Sequence, residues 1–159
     1  MQSHDIHEIV IADDGSGAET RTVIEKFRNE YPITVKHVWQ EDNGFQKCRI
    51  LNKAILAAEG EYLVVSDGDC IPRADFIAQH MKYAEPGYFL SGGYFKLPMS
   101  TRRLISKDDI ISQQCFDKEW LIENGVKPSL KFMKLTAGPI RSRLYNTRTT
   151  TKPTWNGHN

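Results

Sequence analysis

Two pairs of carboxylates have the residue types and the spacing for metal and phosphate chemistry. Asp13 and Asp14 are adjacent, and a single glycine separates Asp67 from Asp69. Carboxylate oxygens suit Mg²⁺ or Mn²⁺, which usually take one or two protein carboxylates together with the phosphate oxygens of a substrate. Because Gly68 lets the backbone bend, both flanking aspartates can approach one ion. The pattern predicts a divalent-metal site that holds a phosphate-bearing ligand.

Each pair also has a simpler interpretation. Asp-Gly is a common turn dipeptide, and the segment Asp13–Ser16 can be only a turn and a helix cap. Each pair, however, directly follows a short apolar run that is typical of a buried strand, Glu8–Ala12 or Tyr62–Val65. This shared position after two strands favours a ligand site over two unrelated turns.

Four short runs rich in β-branched and aromatic residues predict strands: Glu8–Ala12, Ile33–Trp39, Tyr62–Val65 and Tyr88–Leu90. Helical periodicity occupies the segments between them. Ser16 with Glu19 predicts a capping box for a first helix, which Pro32 ends. A second helix is predicted from Phe45 to Ala58. Its buried face is predicted to carry Cys48, Leu51 and Ile55.

Two more helices complete the pattern. Pro72 can open the third, in which His80 is expected to pack against apolar neighbours. Ser106 and Asp109 are expected to cap a last helix that runs to about Asn124. The alternation of strands and helices predicts an α/β fold whose central sheet is mainly parallel, with helices on both faces. In such a sheet the carboxyl ends of the strands meet at one edge, so the two acidic pairs should face one crevice.

Composition describes an ordinary globular chain. The 159 residues suffice for one α/β domain, 40% are hydrophobic, 26% are charged, and the mean hydropathy is -0.49. The chain has no apolar run of about 18 residues, the length that a membrane span needs. Three cysteines match no metal or redox motif, and we expect a reduced, cytoplasmic setting. We expect no nucleic acid partner.

Charge is distributed unevenly along the chain. All 20 acidic residues lie at or before Glu123, whereas seven basic residues and no acidic one follow Val126. This basic tail should attract an anion, such as a phosphate, an acidic lipid surface or the acidic part of the same chain. Peripheral contact with the inner face of the cytoplasmic membrane is one such interaction. The alternative is a solvated, partly mobile tail.

The chain contains four motif segments in order: Ile9–Ser16, Trp39–Phe45, Asn52–Ile55 and Gly60–Pro72. The series resembles the family-2 glycosyltransferases, and most of all the subgroup that includes the amino-terminal transferase domain of bacterial chondroitin polymerase and capsule and lipopolysaccharide transferases. The resemblance covers residues 8 to about 97 strongly and the remainder weakly. The ordered series of motifs is specific, whereas a single Asp-Gly-Asp would not be.

The resemblance implies a GT-A fold, a UDP-sugar donor and a Mn²⁺ or Mg²⁺ ion. By position, it implies that Asp14, with Asp13, contacts the uracil or the ribose. It implies that Asp67 approaches the ribose and the metal, and that Asp69 binds the metal that bridges the diphosphate.

The same resemblance places three residues of the second predicted helix, Lys47, Arg49 and Asn52, on the nucleotide side. Relatives often carry a basic residue directly before this asparagine, whereas this chain has Leu51. The resemblance therefore does not decide which basic residue contacts the nucleotide. For Lys47 and Arg49 the alternative is an ordinary exposed helix charge.

The sequence also departs from the family pattern. Relatives have a strand about thirty residues upstream of the Asp13-Asp14 turn and a downstream Glu-Asp pair that supplies the general base. We expect a fragment truncated at both ends, with the base beyond Asn159 and with weak UDP binding and poor transfer. Residues 1–159 would be one partial GT-A domain, with a nucleotide-sugar half at 1–97 and the start of an acceptor-side half at 98–159.

The expected reaction is metal-dependent, inverting transfer of a hexosyl or N-acetylhexosaminyl group from a UDP-sugar to a saccharide or lipid-linked saccharide in bacterial surface polysaccharide synthesis. The alternatives are a non-catalytic remnant of such an enzyme and a receiver-like Mg²⁺-binding signalling domain. His158 is a further candidate metal ligand, although a terminal histidine is usually only solvated. Trp39 and Trp120 can stack on a sugar, but core packing is favoured for both.

Overall fold

The computed structural model describes residues 2–90, 95–128 and 132. The chain divides into two compact units. His4–Leu63 is called the strand unit here. Val64–Asn159, together with Met1–Ser3, is called the helical unit.

The strand unit is a β-α-β-α segment with a parallel two-stranded sheet. The strands β1 and β2 pair in the register that runs from Glu8 opposite Thr34 to Asp13 opposite Trp39. This arrangement confirms the α/β class and the first two predicted strands. The elements are β1 (Glu8–Asp13), α1 (Ala18–Glu30), β2 (Thr34–Trp39) and α2 (Lys47–Ala57).

The two helices of the strand unit cover opposite faces of β2. Since side chains alternate between the two faces of a strand, successive residues of β2 face different helices. Lys36 points toward the end of α2, where its Nζ donates a hydrogen bond to the carbonyl oxygen of Ala57 at 2.9 Å. His37 and Trp39 lie on the other face of β2, next to the start of α1. The sheet therefore separates an α1 side from an α2 side.

The buried face of α2 differs from the predicted one. Ile50 is 2% exposed and Ala54 8% exposed, so these two residues carry the packing of the helix. Cys48 is exposed and Ile55 is 44% exposed. The helix has two apolar stripes of similar length, and periodicity alone does not decide which one meets the sheet.

A charged cluster ties the carboxyl end of α2 to the sheet. Nζ of Lys36 lies 2.8 Å from Oε2 of Glu8 and 2.8 Å from Oε1 of Glu59. Oε1 of Glu8 also accepts hydrogen bonds from the N–H groups of Glu59 and Gly60. The hydrogen bond from Lys36 is the largest cause that lowers the pKa of Glu8, to about 2. A cation at a helix carboxyl end also interacts favourably with the helix dipole.

Glu8→Gln is expected to change how stability depends on pH. The pKa of Glu8 is lower in the folded chain than its ordinary value of 4.5, so its stabilising effect is complete above pH 4.5 and lost as the pH falls toward 2. The free energy of unfolding of Glu8→Gln should therefore lie below that of the unchanged chain at neutral pH and converge with it in acid. Urea unfolding between pH 2 and 7 measures this difference. Glu61→Gln removes one exposed negative charge and is the control; parallel curves for the unchanged chain and Glu8→Gln would contradict the prediction.

The helical unit consists of short elements in its described part. The third predicted helix is confirmed as α3 (Phe76–Tyr83). It is followed by α4 (Met99–Arg102), α5 (Lys107–Ile111), a 3-10 turn at Gln114–Phe116 and α6 (Lys118–Glu123).

The third and fourth predicted strands are wrong. Residues 62–65 and 88–90 form no strand in the structure. A high β propensity produces a strand only when a neighbouring strand supplies the hydrogen-bond ladder and the side-chain contacts. Among the described residues only β1 and β2 pair in this way.

The last predicted helix is interrupted. Its start is confirmed, because Ser106 and Asp109 form a reciprocal capping box at α5. Gln113 then adopts a left-handed conformation with φ of 64°, which ends the α-helical path. The chain resumes as α6, whose end is marked by Gly125 with φ of 90°.

The core of the helical unit forms around Leu121, Val126 and Phe132, with Trp120 packed against them. The predicted packing of Trp120 is thus confirmed. His80 is buried and its ring meets that of Phe76 edge-on at 4.7 Å, as expected, and burial lowers its pKa.

Trp39 departs from its prediction. Its side chain is 43% exposed instead of lying in a core. No helix in the described ranges is long and apolar enough to cross a bilayer.

Candidate functional site

Asp13 ends β1 and is 5% exposed. Its Oδ1 accepts a hydrogen bond from the N–H of Ser16 at 2.8 Å, and its Oδ2 lies 2.7 Å from Nε2 of His37. Burial alone would raise the pKa of Asp13, but the hydrogen bonds from Ser16 and the contact with His37 outweigh it and lower the pKa. Asp13 is therefore an ionised group that holds the β1–α1 turn against β2.

This use of the Ser16 N–H alters the start of α1. The predicted capping box between Ser16 and Glu19 is wrong, because Gly17 is the N-cap and no side chain caps the helix. The bond from Ser16 to Asp13 draws the turn toward β1. The helix consequently begins one residue later than the sequence pattern predicts.

Asp14 connects the two loops that follow the strands. Its Oδ1 accepts a hydrogen bond from Nε2 of Gln40 at 2.5 Å, and its Oδ2 accepts one from the N–H of Gln46 at 2.7 Å. Gln46 is the N-cap of α2 and also accepts, through Oε1, a hydrogen bond from Nη1 of Arg49 at 3.1 Å. The structure thus links Asp14 to Arg49 through one glutamine. Neither glutamine was predicted as a site residue, and only the position of Gln46 at the start of the predicted second helix could have drawn attention to it.

Asp14→Ala is expected to lower the free energy of unfolding by about 2 kcal/mol, because two donors lose a charged acceptor. One of them belongs to Gln40, which is 6% exposed and whose Oε1 has no hydrogen-bond partner in the described part of the chain. Asp14→Asn keeps a carbonyl oxygen for one donor and should lose about half as much. Chemical denaturation of both variants checks this order. Unchanged stability of Asp14→Ala would contradict a structural role for the carboxylate.

The three helix residues predicted for the nucleotide side all lie on α2 in the strand unit. Arg49 and Asn52 are exposed, and Lys47 is half-buried. Arg49 lies next to the network of Asp14 through its contact with Gln46. Exposure keeps Arg49 accessible to an anionic ligand and agrees equally with an exposed helix charge, so the nucleotide role of the three residues stays a prediction.

Asp67 and Asp69 lie on one tight turn of the helical unit. The N–H of Cys70 donates a hydrogen bond to the carbonyl oxygen of Asp67 at 3.1 Å, which closes the turn. Asp67 is half-buried and Asp69 exposed, and a Cβ added at Gly68 would meet open space. The turn places two carboxylates two residues apart on a backbone that leaves room beside them.

These two carboxylates fit a hard divalent cation. Mg²⁺ and Mn²⁺ bind through one or two carboxylates and complete their shells with phosphate oxygens and water. Within residues 2–90, 95–128 and 132 there is no group of three or more His, Cys, Asp or Glu side chains that could hold a metal. A ligand that brings its own oxygen donors would therefore complete the set.

Some predictions lie beyond what the structure describes. His158 and the basic tail from residue 133 onward fall outside the described residues. Asp14 belongs to the strand unit, and Asp67 and Asp69 belong to the helical unit. The convergence of these three side chains on one crevice stays a prediction.

Comparison with known proteins gives the family. Residues 1–147 match the protein family described as Glycosyl transferase family 2. The chain belongs to this family. The membership confirms the resemblance read from the four motifs, and it confirms the GT-A fold that the resemblance implies. It favours the transferase hypothesis over a receiver-like domain.

Three curated relatives are chondroitin or hyaluronan synthases of much greater length. Chondroitin synthase of Escherichia coli is 30% identical over 76 residues, which are 48% of this chain and 11% of that protein. Chondroitin synthase of Pasteurella multocida is 26% identical over 117 residues, 74% of this chain and 11% of that protein. Hyaluronan synthase of Pasteurella multocida is 28% identical over 72 residues, 45% of this chain and 7% of that protein. The chain thus spans about a tenth of the chondroitin synthases that it matches. No solved structure matches it significantly.

Proposed function

We propose that the chain takes part in metal-dependent, inverting transfer of a sugar from a UDP-sugar to a saccharide or lipid-linked saccharide acceptor, in the synthesis of a bacterial surface polysaccharide. The observation that carries the proposal is the Asp67–Cys70 turn, which presents an exposed Asp69 and a half-buried Asp67 in a chain of glycosyl transferase family 2. We place the reaction in the cytoplasm, with the basic tail as a contact for the inner face of the membrane.

In this proposal the two acidic pairs have different roles, one toward the metal and the other toward the nucleoside. Asp67 and Asp69 would hold Mn²⁺ or Mg²⁺, and the ion supplies positive charge that offsets the charge developing on the departing diphosphate. On the nucleoside side, Asp14 and Arg49 can orient the uracil and the ribose, because Gln46 already fixes both side chains at the start of α2.

Transfer with inversion requires a direct displacement. The acceptor hydroxyl oxygen forms a bond to the anomeric carbon from the face opposite the diphosphate, the bond to the diphosphate oxygen breaks, and UDP leaves with the electron pair. The hydroxyl proton passes to a carboxylate base. No described residue is assigned to that role.

The names of the relatives support the proposed class of acceptor. Three of them are synthases of chondroitin or hyaluronan, which are polysaccharides. The chain matches only a small part of each, so its donor sugar, its acceptor and its activity in isolation belong to the proposal.

Calorimetric titration of the chain with UDP, with and without Mn²⁺, tests the proposal. We expect weak binding that Mn²⁺ strengthens by about tenfold or more, because Asp67 and Asp69 would hold the ion and its positive charge would attract the diphosphate. Uridine is the matched control, since it has the same nucleoside without the diphosphate and should show no effect of Mn²⁺. Tight UDP binding that is indifferent to Mn²⁺ would overturn the proposed metal site.

A further inference from the structure

Gln40 directly follows β2 and is buried at the carboxyl end of the two paired strands. It is 6% exposed, and its N–H donates a hydrogen bond to the carbonyl oxygen of Asp13 at 3.2 Å. That bond extends the contact between the strands beyond the last register pair, Asp13 opposite Trp39. The side chain of Gln40 is therefore held beside the turn that carries Asp14.

The amide of Gln40 can face Asp14 in one orientation only. Its Nε2 donates a hydrogen bond to Oδ1 of Asp14 at 2.5 Å. Its Oε1 is buried and accepts no hydrogen bond from any residue that the structure describes. Because a carboxylate only accepts hydrogen bonds, turning the amide over would place two acceptors together and lose the bond to Asp14. The contact with Asp14 thus keeps a buried acceptor unpaired.

This arrangement does little for stability. A buried polar atom without a partner costs desolvation free energy, which offsets the gain from the bond at Nε2. Asp14 is only half-buried, and it keeps the bond from the N–H of Gln46 at 2.7 Å. An apolar side chain of similar size in place of Gln40 would remove the unpaired acceptor and the donor together, and water could hydrate the freed carboxylate oxygen.

The same bond restricts the carboxylate of Asp14. One donor, Nε2 of Gln40, comes from the loop after β2, and the other, the N–H of Gln46, comes from the start of α2. Each donor binds a different oxygen, so together they fix the plane of the carboxylate, whereas either bond alone would let it rotate. A group that is already held in its binding orientation loses less entropy when a ligand arrives.

We propose that Gln40 is a positioning residue for the nucleoside, and that it acts by orienting the carboxylate of Asp14. The proposal rests on the proposed function, in which Asp14 contacts the uracil or the ribose, and adds to it a residue that had no assigned role. Each oxygen of Asp14 retains a second lone pair for the ligand. Because a carboxylate only accepts, the ligand presents a donor there: the N3–H of uracil or a ribose hydroxyl.

Gln40→Met tests the proposal, because methionine is unbranched and similar in length but has no amide. NMR titration of the full chain with uridine should show about tenfold weaker binding than in the unchanged chain, since Asp14 loses its fixed orientation. The urea midpoint of unfolding should stay the same or rise. Pyrophosphate with Mn²⁺, which lacks the nucleoside, should bind both chains equally.

Gln113→Met is the matched control, since it removes a glutamine whose amide has both partners. Oε1 of Gln113 accepts a hydrogen bond from the N–H of Ala74, and its Nε2 donates one to the carbonyl oxygen of Ile110, both at 2.7 Å. This variant should lower the urea midpoint and leave uridine affinity unchanged. The two glutamines are thus expected to give opposite results in stability and in binding.

A double-variant cycle shows whether Gln40 acts through Asp14. Asp14→Asn should weaken uridine binding by itself. Adding Gln40→Met to it should cause little further loss, because the carboxylate that Gln40 orients is already gone. Losses that simply multiply would mean that Gln40 acts independently of Asp14 and would overturn the positioning role.

The remaining outcomes separate this inference from the proposed function. Full uridine affinity in Gln40→Met, or a fall in its urea midpoint as large as that of Gln113→Met, would overturn the inference alone. Failure of the unchanged chain to bind uridine would overturn both, because Asp14 would then contact no nucleoside. If uridine responds to Gln40→Met as expected while UDP is indifferent to Mn²⁺, the positioning role stands and the proposed metal site fails.

Discussion

Asp69→Asn is expected to abolish the strengthening of UDP binding by Mn²⁺. An amide oxygen carries no net charge and is a much weaker ligand for a hard cation than a carboxylate, so the ion would keep only Asp67. Mn²⁺-dependent affinity for UDP should fall by about tenfold or more, whereas the weak binding without metal should stay the same. Because Asp69 is exposed on its turn, the substitution should leave the fold intact.

The measurement is calorimetric titration with UDP at several Mn²⁺ concentrations. Asp108→Asn is the matched control, since it removes an exposed carboxylate from α5 of the same unit and should leave Mn²⁺ dependence unchanged. Asp67→Asn should resemble Asp69→Asn. If both variants of the Asp67–Cys70 turn respond to Mn²⁺ as the unchanged chain does, the ion binds elsewhere and the proposed role of this turn is wrong.

Local patterns predicted some elements whose stabilising contacts are local, although the capping box predicted at Ser16 and Glu19 does not form. The capping box at Ser106 and Asp109 closes within four residues, and it forms as expected. The parallel pair β1 and β2 follows from two β-branched runs joined by one amphipathic helix, a connection that places two strands side by side. Both features depend on residues that are near in sequence or joined by a single helix.

Features that depend on a choice among partners were not predictable in the same way. α2 has one apolar stripe with Ile55 and another with Ile50 and Ala54, and only the sheet beneath selects the second. The run at 62–65 has strand-like residues, but a strand needs a ladder partner and none pairs with it among the described residues. The Nε1–H of Trp39 likewise bonds to Ser16, which lies 23 residues away in the sequence.

The candidate site shows the same division. The sequence identified Asp13, Asp14, Asp67 and Asp69 as carboxylates in the turns that follow predicted strands. Family membership agrees with the motifs that contain them. The partner of Asp14 was not foreseeable, because Gln46 lies 32 residues away in the sequence. Asp14, which was predicted to contact the nucleotide, thus also accepts hydrogen bonds that hold the two loops together.

Gly15→Ala is expected to be the most destabilising single substitution in the β1–α1 turn. Gly15 has φ of 98°, and a Cβ added there would lie 2.6 Å from the Cα of Asp42. Left-handed backbone costs an alanine about 1 kcal/mol, and forcing the loop at Asp42 to move adds about 2 kcal/mol. The displaced loop also contains Gln40, whose amide bonds to Asp14.

Two other glycines separate the backbone cost from the steric cost. Gly44 also has a positive φ, of 81°, but no atom lies within 4 Å of its added Cβ, so Gly44→Ala should lose only about 1 kcal/mol. Gly17 has neither feature, and Gly17→Ala should change stability by less than about 0.5 kcal/mol. Urea denaturation should therefore rank the variants with Gly15→Ala lowest and Gly17→Ala highest. If Gly15→Ala and Gly44→Ala were equally stable, the close approach of Gly15 to Asp42 would contribute nothing, and the two loops would not be packed together as the bonds of Asp14 require.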